Sequence, residues 1–196
     1  MPRSSRLISI SPFRLERGHS HLPAHGDQAT HMPFQGTHLP VFWIKDGASL
    51  DGFLHEGLTH EHYVDLRDRA LAQRQFDTAN SDMEVLYQFW CHFLVRNFNA
   101  GMYQEFQNTA VEDLRNGATN GIKYLSEYYE ALLAGHAPLT DNLANDIVSL
   151  AQIEVDESRP IFQKLRAAWR NGAFDLKSRK RVDTLLSPDL RAELEK

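Results

Sequence analysis

The chain predicts an all-α fold, a short stack of helical hairpins, on three observations. Apolar residues recur at helical spacing almost without interruption from Leu50 onward. Strand alternation is not apparent over the same stretch. And the pattern of one hairpin returns about 40 residues further along.

Residues 1–40 are rich in Ser, Pro, Gly, His and Arg and read as a mostly disordered basic arm. Their Arg- and Ser-rich, acid-poor start superficially suggests a transit peptide, but a basic tail explains it better, and no apolar core of a secretory signal follows. Helical faces then appear in order. Tyr63, Leu66, Ala70 and Leu71 form the first, and Leu86, Phe89, Trp90, Phe93 and Leu94 the second. Tyr103, Phe106, Ala110 and Val111 form the third, and Leu125, Tyr128, Tyr129, Leu132 and Leu133 the fourth. Between these runs fall Gly101, Gly117, Gly121, Gly135, Pro138, Pro160 and Gly172, so helices are short and neighbours antiparallel.

The repeat is specific in side-chain size as well as spacing. A shift of 39 residues sets Met83 on Ile122, Leu86 on Leu125, Phe89 on Tyr128, Trp90 on Tyr129, Phe93 on Leu132 and Leu94 on Leu133. A shift of 40 sets Tyr63 on Tyr103, Leu66 on Phe106 and Ala70 on Ala110. A shift of 37 sets Met102, Phe106 and Ala110 on Leu139, Leu143 and Ile147. Such a period with two helices per unit predicts a right-handed, HEAT-like stack sharing one continuous core. The repeat domain is expected over residues 41–190, with units near 44–82, 83–121 and 122–158 and closing helices over 159–190.

Of the 196 residues, 42% are hydrophobic and 24% charged, with a formal net charge of −5. A chain of this length buries a real core without disulfide or metal. Cys91 is the single cysteine, which excludes an internal disulfide and suits a reducing compartment. No run approaches the ~20 apolar residues of a membrane span. Charge is segregated. Residues 104–158 carry ten acids against Arg115 and Lys123, and residues 159–181 carry eight bases against Asp175.

Catalytic and metal chemistry find little support. Eight of the ten histidines lie at or before His62. His55-Glu56 with His60 imitates a zinc-protease motif, but five residues turn a helix by ~500°, leaving the rings ~140° apart. Metal binding by His19, His21, His25 and His31 is unspecific. Cys91, inside the Trp90–Phe93 turn, reads as an ordinary small side chain rather than a nucleophile. No phosphate loop, carboxylate pair or triad spacing is present, so neither an enzyme nor a cofactor is expected.

The second unit reads Met83-Glu-Val-Leu-Tyr-Gln-Phe-Trp-Cys-His-Phe-Leu-Val-Arg-Asn-Phe-Asn99, then Met102-Tyr-Gln-Glu-Phe106 and Ala110-Val-Glu-Asp113, and the third opens Ile122-Lys-Tyr-Leu-Ser-Glu-Tyr-Tyr129. This resembles the C-terminal DM-fifteen helical-hairpin repeats of La-related protein 1, in a diverged form similar to fungal versions, from about Leu50 to Phe174. The resemblance implies a cytoplasmic, non-enzymatic module that binds the mRNA cap and the 5′ terminal oligopyrimidine tract and regulates translation and mRNA stability. It implies mRNA and translation-machinery proteins as partners, with neither DNA nor membrane. A methylated guanine is a delocalised cation that stacks between aromatic rings, and basic side chains take the phosphates.

Carried over residue by residue, the family's binding positions fall on altered side chains here. Gln88 stands where a base is implied, His92 where an aromatic is, and Val95 where a base is, with Arg96 adjacent. Glu127 stands at an Arg position, Glu130 at a Ser position, Ala131 at a sandwiching Tyr and Ala134 at the guanine-reading Glu. The second sandwiching aromatic falls near Ala168, beside Trp169. The RNA- or cap-binding candidates are therefore Gln88, His92, Arg96, Glu127, Glu130, Arg166, Trp169 and Arg170, with Glu130 and Trp169 compensating for a lost acid and a lost ring. His92 is either a solvated histidine or a stacking one, and Trp169 either flanks a base or covers a terminal apolar face. The Lys177–Arg181 cluster is either a solvated run or a phosphate patch. The alternative function is a protein-interaction solenoid that kept the scaffold and lost the cap.

Overall fold

The computed structural model describes residues 6–10, 41–44, 49–50, 59–78, 80–135, 137–154 and 158–196. The chain forms two compact units, Met1–Asp65 and Leu66–Lys196.

The first unit holds a four-stranded sheet in the order β3-β2-β1-β4. Its strands are β1 (Arg6–Ile10), β2 (Val41–Ile44), β3 (Ser49–Leu50) and β4 (Thr59–His62). β2 pairs antiparallel with β1, setting Ile8 opposite Trp43, and β4 pairs parallel with β1, setting Ile8 opposite Glu61. Ile8 is fully buried. β1 departs from the expectation of a mostly disordered arm over 1–40, whose other residues lie outside the described ones, and β4 departs from that of helix from Leu50 onward. The reason is physical: Leu7-Ile8-Ser9-Ile10 is too short to show a period of its own, and its partners lie more than thirty residues away in sequence. His19, His21, His25, His31 and His55 lie outside the described residues.

Helix α1 (Tyr63–Arg74) starts at the junction of the units, and seven further helices follow among the described residues of the second. They are α2 (Ser81–Arg96), α3 (Ala100–Arg115), α4 (Asn120–Leu133), α5 (Asp141–Ile153), α6 (Pro160–Asn171), α7 (Leu176–Leu185) and α8 (Pro188–Glu195). Their ends are written locally. The side-chain oxygens of Asn80, Asn99, Thr140, Asp175 and Ser187 each accept a backbone N–H of the following first turn. Pro160 and Pro188 open α6 and α8, where a missing N–H costs nothing. Gly117 and Gly172 close α3 and α6 at positive φ of 85° and 65°.

The helices build two layers. In one, α2 packs on α4, α4 on α6, and α6 on α8; in the other, α5 packs on α7. Side-chain bonds join α1 to α3 through Arg67 and Arg74, and α3 to α5 through Tyr103 and Asp146. The expected repeat is the physical one, and it runs a unit further. Met83, Ile122 and Phe162 are equivalent along the first layer, as are Leu86, Leu125 and Leu165. So are Phe89, Tyr128 and Ala168, and Trp90, Tyr129 and Trp169; all twelve are buried. α6 and α7 thus form a third full hairpin, with α8 continuing the first layer.

Two polar nodes fix the layers in register. Tyr87 on α2 donates to Asp113 on α3 (2.5 Å), whose other oxygen accepts from Arg74 on α1 (2.7 Å). Tyr103 on α3 meets Tyr129 on α4 (2.9 Å) and donates to Asp146 on α5 (2.8 Å). Because these carboxylates and hydroxyls are removed from water, each must find its partner inside. The close approach of α4 rests on Gly121, where a Cβ would lie 2.8 Å from Ala110 Cα and from the Tyr87 ring.

Candidate nucleic-acid interface

The outward face of the first layer is the surface opposite its repeating core. Gln88 on α2, Glu127 on α4 and Ala167 on α6 are equivalent positions, and one turn on lie His92, Ala131 and Asn171. His92 and Arg96 are exposed, one and two turns beyond half-buried Gln88. On α4, Glu127 is half-buried, while Glu130, Ala131 and Ala134 are exposed. On α6, Arg170 is exposed and donates to the main-chain oxygen of Lys196 (3.2 Å). Six of the eight candidates, Gln88, His92, Arg96, Glu127, Glu130 and Arg170, therefore stand along one strip of three successive helices.

The other two do not. Trp169 is equivalent to the core residues Trp90 and Tyr129 and is only 7% exposed. The Arg179 guanidinium lies 4.4 Å from its ring centroid, and Phe174 meets it edge-on at 6.2 Å. Placed this way, the indole has no open face for a base, and the compensation expected of it is not available. The 40-residue shift from Tyr129 to Trp169 was the sequence signal that marks it as core. Arg166 is equivalent to the buried Tyr87 and Ser126, and its Nε is buried without a hydrogen-bond partner among the described residues.

The strip has its own internal bonding. Glu130 accepts from Lys164 on α6 at 2.5 Å, so the carboxylate expected to replace a guanine-reading acid is tied to a neighbouring ammonium. Tyr124 donates to Glu84 across α2 and α4 (3.2 Å), and the Lys123 ammonium sits 5.6 Å from the Tyr124 ring centroid. Glu84, Lys123 and Lys164 are additions that sequence reasoning passed over, although Glu84 and Lys123 are one repeat apart. Gln88 leaves its Oε1 buried and without a hydrogen-bond partner among the described residues, an acceptor aimed at no donor.

Burial explains the behaviour of the one cysteine. Removal from water, with a smaller push from the Glu127 charge, moves the Cys91 thiol up to about 12. At neutral pH it is a thiol and a poor nucleophile.

The basic block is largely used inside the stack. Arg159 pairs with Glu193 (2.9 Å) and stacks 3.9 Å from the Phe162 ring centroid. Arg179 covers Trp169 and donates to its main-chain oxygen (3.2 Å). Arg181 pairs with Asp141 (2.6 Å) and donates to the Leu139 carbonyl. Lys177 and Lys180 remain exposed on α7. The segregated charge of the sequence is thus mostly acid in the middle helices answering base in the flanking ones.

Short antiparallel helices in two layers, repeating every 39 to 40 residues over a shared core, define a HEAT-like helical repeat protein. A family model for the LARP1 HEAT repeat region matches residues 48–189. The chain belongs to that family.

Proposed function

We propose that the chain is a non-catalytic RNA-binding module acting on the 5′ end of mRNA, in cytoplasmic control of translation and mRNA stability. The observation that carries this reading is the outward strip of α2, α4 and α6, where Gln88, His92, Arg96, Glu127, Glu130 and Arg170 stand together on a member of the LARP1 repeat family. His92 and Arg96 stand one turn apart on the exposed side of α2, an aromatic ring and a guanidinium of the kinds that stack on a base and hold a phosphate. With Ala131 and a buried Trp169 at the two sandwich positions, neither wall is in place, and His92 is the aromatic that stays on the exposed side of α2. Losing a stacked partner costs ~1–3 kcal/mol, so cap affinity is expected to be weak.

The second reading is a protein-interaction solenoid. The internal pairing of Lys164, Arg179 and Arg181 favours it, because those bases are not offered to phosphate. Titration with a cap analogue, and with capped and uncapped pyrimidine-rich RNA at two salt concentrations, separates the two. Affinity that depends on the cap and falls in His92→Ala supports the first. Absence of RNA binding at low salt overturns it in favour of the second.

A further inference from the structure

Antiparallel hairpins gather their turns at one end of the stack. α2, α4 and α6 finish where α3, α5 and α7 begin, so the α2–α3, α4–α5 and α6–α7 turns share that end. Direct bonds join two of them: the Leu139 N–H before α5 donates to Ser178 Oγ in the first turn of α7 (2.8 Å), and Arg181 reaches the Leu139 carbonyl. Arg96 closes α2, Arg170 lies in the last turn of α6, and Lys177 and Lys180 start α7; all four are exposed. Their neighbours Arg179 and Arg181 are engaged with Trp169 and Asp141. The ammonium groups of Lys177 and Lys180 meet no carboxylate among the described residues. Nor do the acids at this end answer them. Asp141 is taken by Arg181, and Asp175 turns its carboxylate onto the Ser178 hydroxyl and the N–H groups of Lys177 (2.9 Å) and Ser178 (3.2 Å). Glu195, beside the contact of Arg170 with Lys196, stays exposed. Apolar side chains stand out among these bases. Phe98 in the α2–α3 turn is 53% exposed, with the Tyr103 ring on one side of it at 5.9 Å, and Leu176 at the start of α7 is 85% exposed.

An exposed ring on an edge of uncompensated cations suits a single nucleic-acid strand. Ammonium and guanidinium groups take successive phosphates, and a base stacks on the ring whatever its identity. An acidic protein segment would use the cations but not the ring. Arg96 and Arg170 belong to the outward strip as well as to this edge, since each lies in the last turn of a strip helix. Two helix-packing steps of ~8–10 Å separate α2 from α6, room for a strand of several nucleotides. We propose that the edge formed by the α2–α3 and α6–α7 turns is a track for single-stranded RNA that continues the strip. Arg96, Arg170, Lys177 and Lys180 hold its phosphates, and Phe98 is a stacking platform. The inference rests on the RNA reading and adds the path of the strand beyond the strip, so RNA is held by its length as well as by its 5′ end.

The test titrates the full chain with labelled oligopyrimidine RNAs of about 5 and about 20 nucleotides over a series of salt concentrations. The parent should bind the longer RNA more tightly. Lys177→Gln with Lys180→Gln should weaken the longer RNA at least about fivefold at low salt. The same variant should flatten the slope of log K on log salt by about 1.4, at ~0.7 for each phosphate contact on a single strand. Phe98→Leu keeps an apolar cover on Tyr103 and should weaken the longer RNA at least about fivefold with the slope unchanged. Arg115→Gln, exposed at the opposite end of α3, should alter neither. Denaturant unfolding checks that each variant is folded. RNA binding by the parent that the lysine and Phe98 variants leave as it was overturns the track and spares the strip. Absence of RNA binding by the parent at low salt overturns both. A poly-glutamate peptide that binds as tightly as the RNA, and is lost in the lysine variant, overturns the track in favour of an acidic protein partner.

Discussion

The two faces of the first-layer helices follow different rules. On the inner face, each unit repeats the last: Leu86, Leu125 and Leu165 occupy one position, and Trp90, Tyr129 and Trp169 another. On the outer face no position repeats. Gln88 becomes Glu127 and then Ala167, and His92 becomes Ala131 and then Asn171. The inner face must match its neighbours in volume, since a core packed to near-crystal density tolerates little change. The outer face meets water and whatever binds there, so its chemistry is free to differ from helix to helix. Scaffold and ligand specificity are therefore separable in this molecule.

The sharpest way to break that separation is Trp169→Ala. If the indole is core, the substitution destabilises the chain by about 3–5 kcal/mol, read by denaturant unfolding. A loss of RNA affinity with unchanged stability would return Trp169 to the ligand surface. Next is Gly121→Ala. The added methyl meets the α3 backbone and the Tyr87 ring, and about 1–3 kcal/mol of stability should be lost. A neutral result would show that α4 stands further from α3 than the structure places it.

Tyr87→Phe probes the polar side of the same core. It removes one of the partners of buried Asp113 and should cost about 1–3 kcal/mol by thermal or denaturant unfolding. On the outer face, His92→Ala and Arg170→Ala should each stay within about ±0.5 kcal/mol in the same measurement. A larger effect from either would join the outer face to the scaffold and weaken the comparison. The smallest effect is at Asp175. Its carboxyl is held below the usual range mainly by the Ser178 hydroxyl, with the backbone N–H groups of Ser178 and Lys177 adding to it. A depressed pKa means the cap on α7 is present above the ordinary carboxylate range and is lost only as pH falls through the lowered value. Carboxyl NMR titration should find that midpoint below ordinary aspartate, and a midpoint at or above it would refute the cap.

Much of this was legible in the chain itself. The equivalences of Met83 with Ile122 and of Met102 with Leu139 are read directly from spacing, because a helix must return an apolar residue to the same face every turn or so. Each of those positions is buried. The α6 repeat was harder to see, since Phe89 and Tyr128 give way to Ala168, and one small residue hides the match. Strand β1 was hidden for another reason: its partners come from distant segments, and pairing across such a separation leaves no local period.

By itself, then, the sequence determined the helices, their ends and the periodic core, all consequences of local spacing and capping. Only the tertiary structure decided where the charges went. Eight bases between residues 159 and 181 look like a phosphate patch when counted along the chain. In space, Lys164 meets Glu130, Arg179 lies over Trp169, and Arg181 meets Asp141. Whether a charge is offered to a ligand or spent on a neighbouring helix depends on which helix stands beside it, and spacing along one helix carries no record of that.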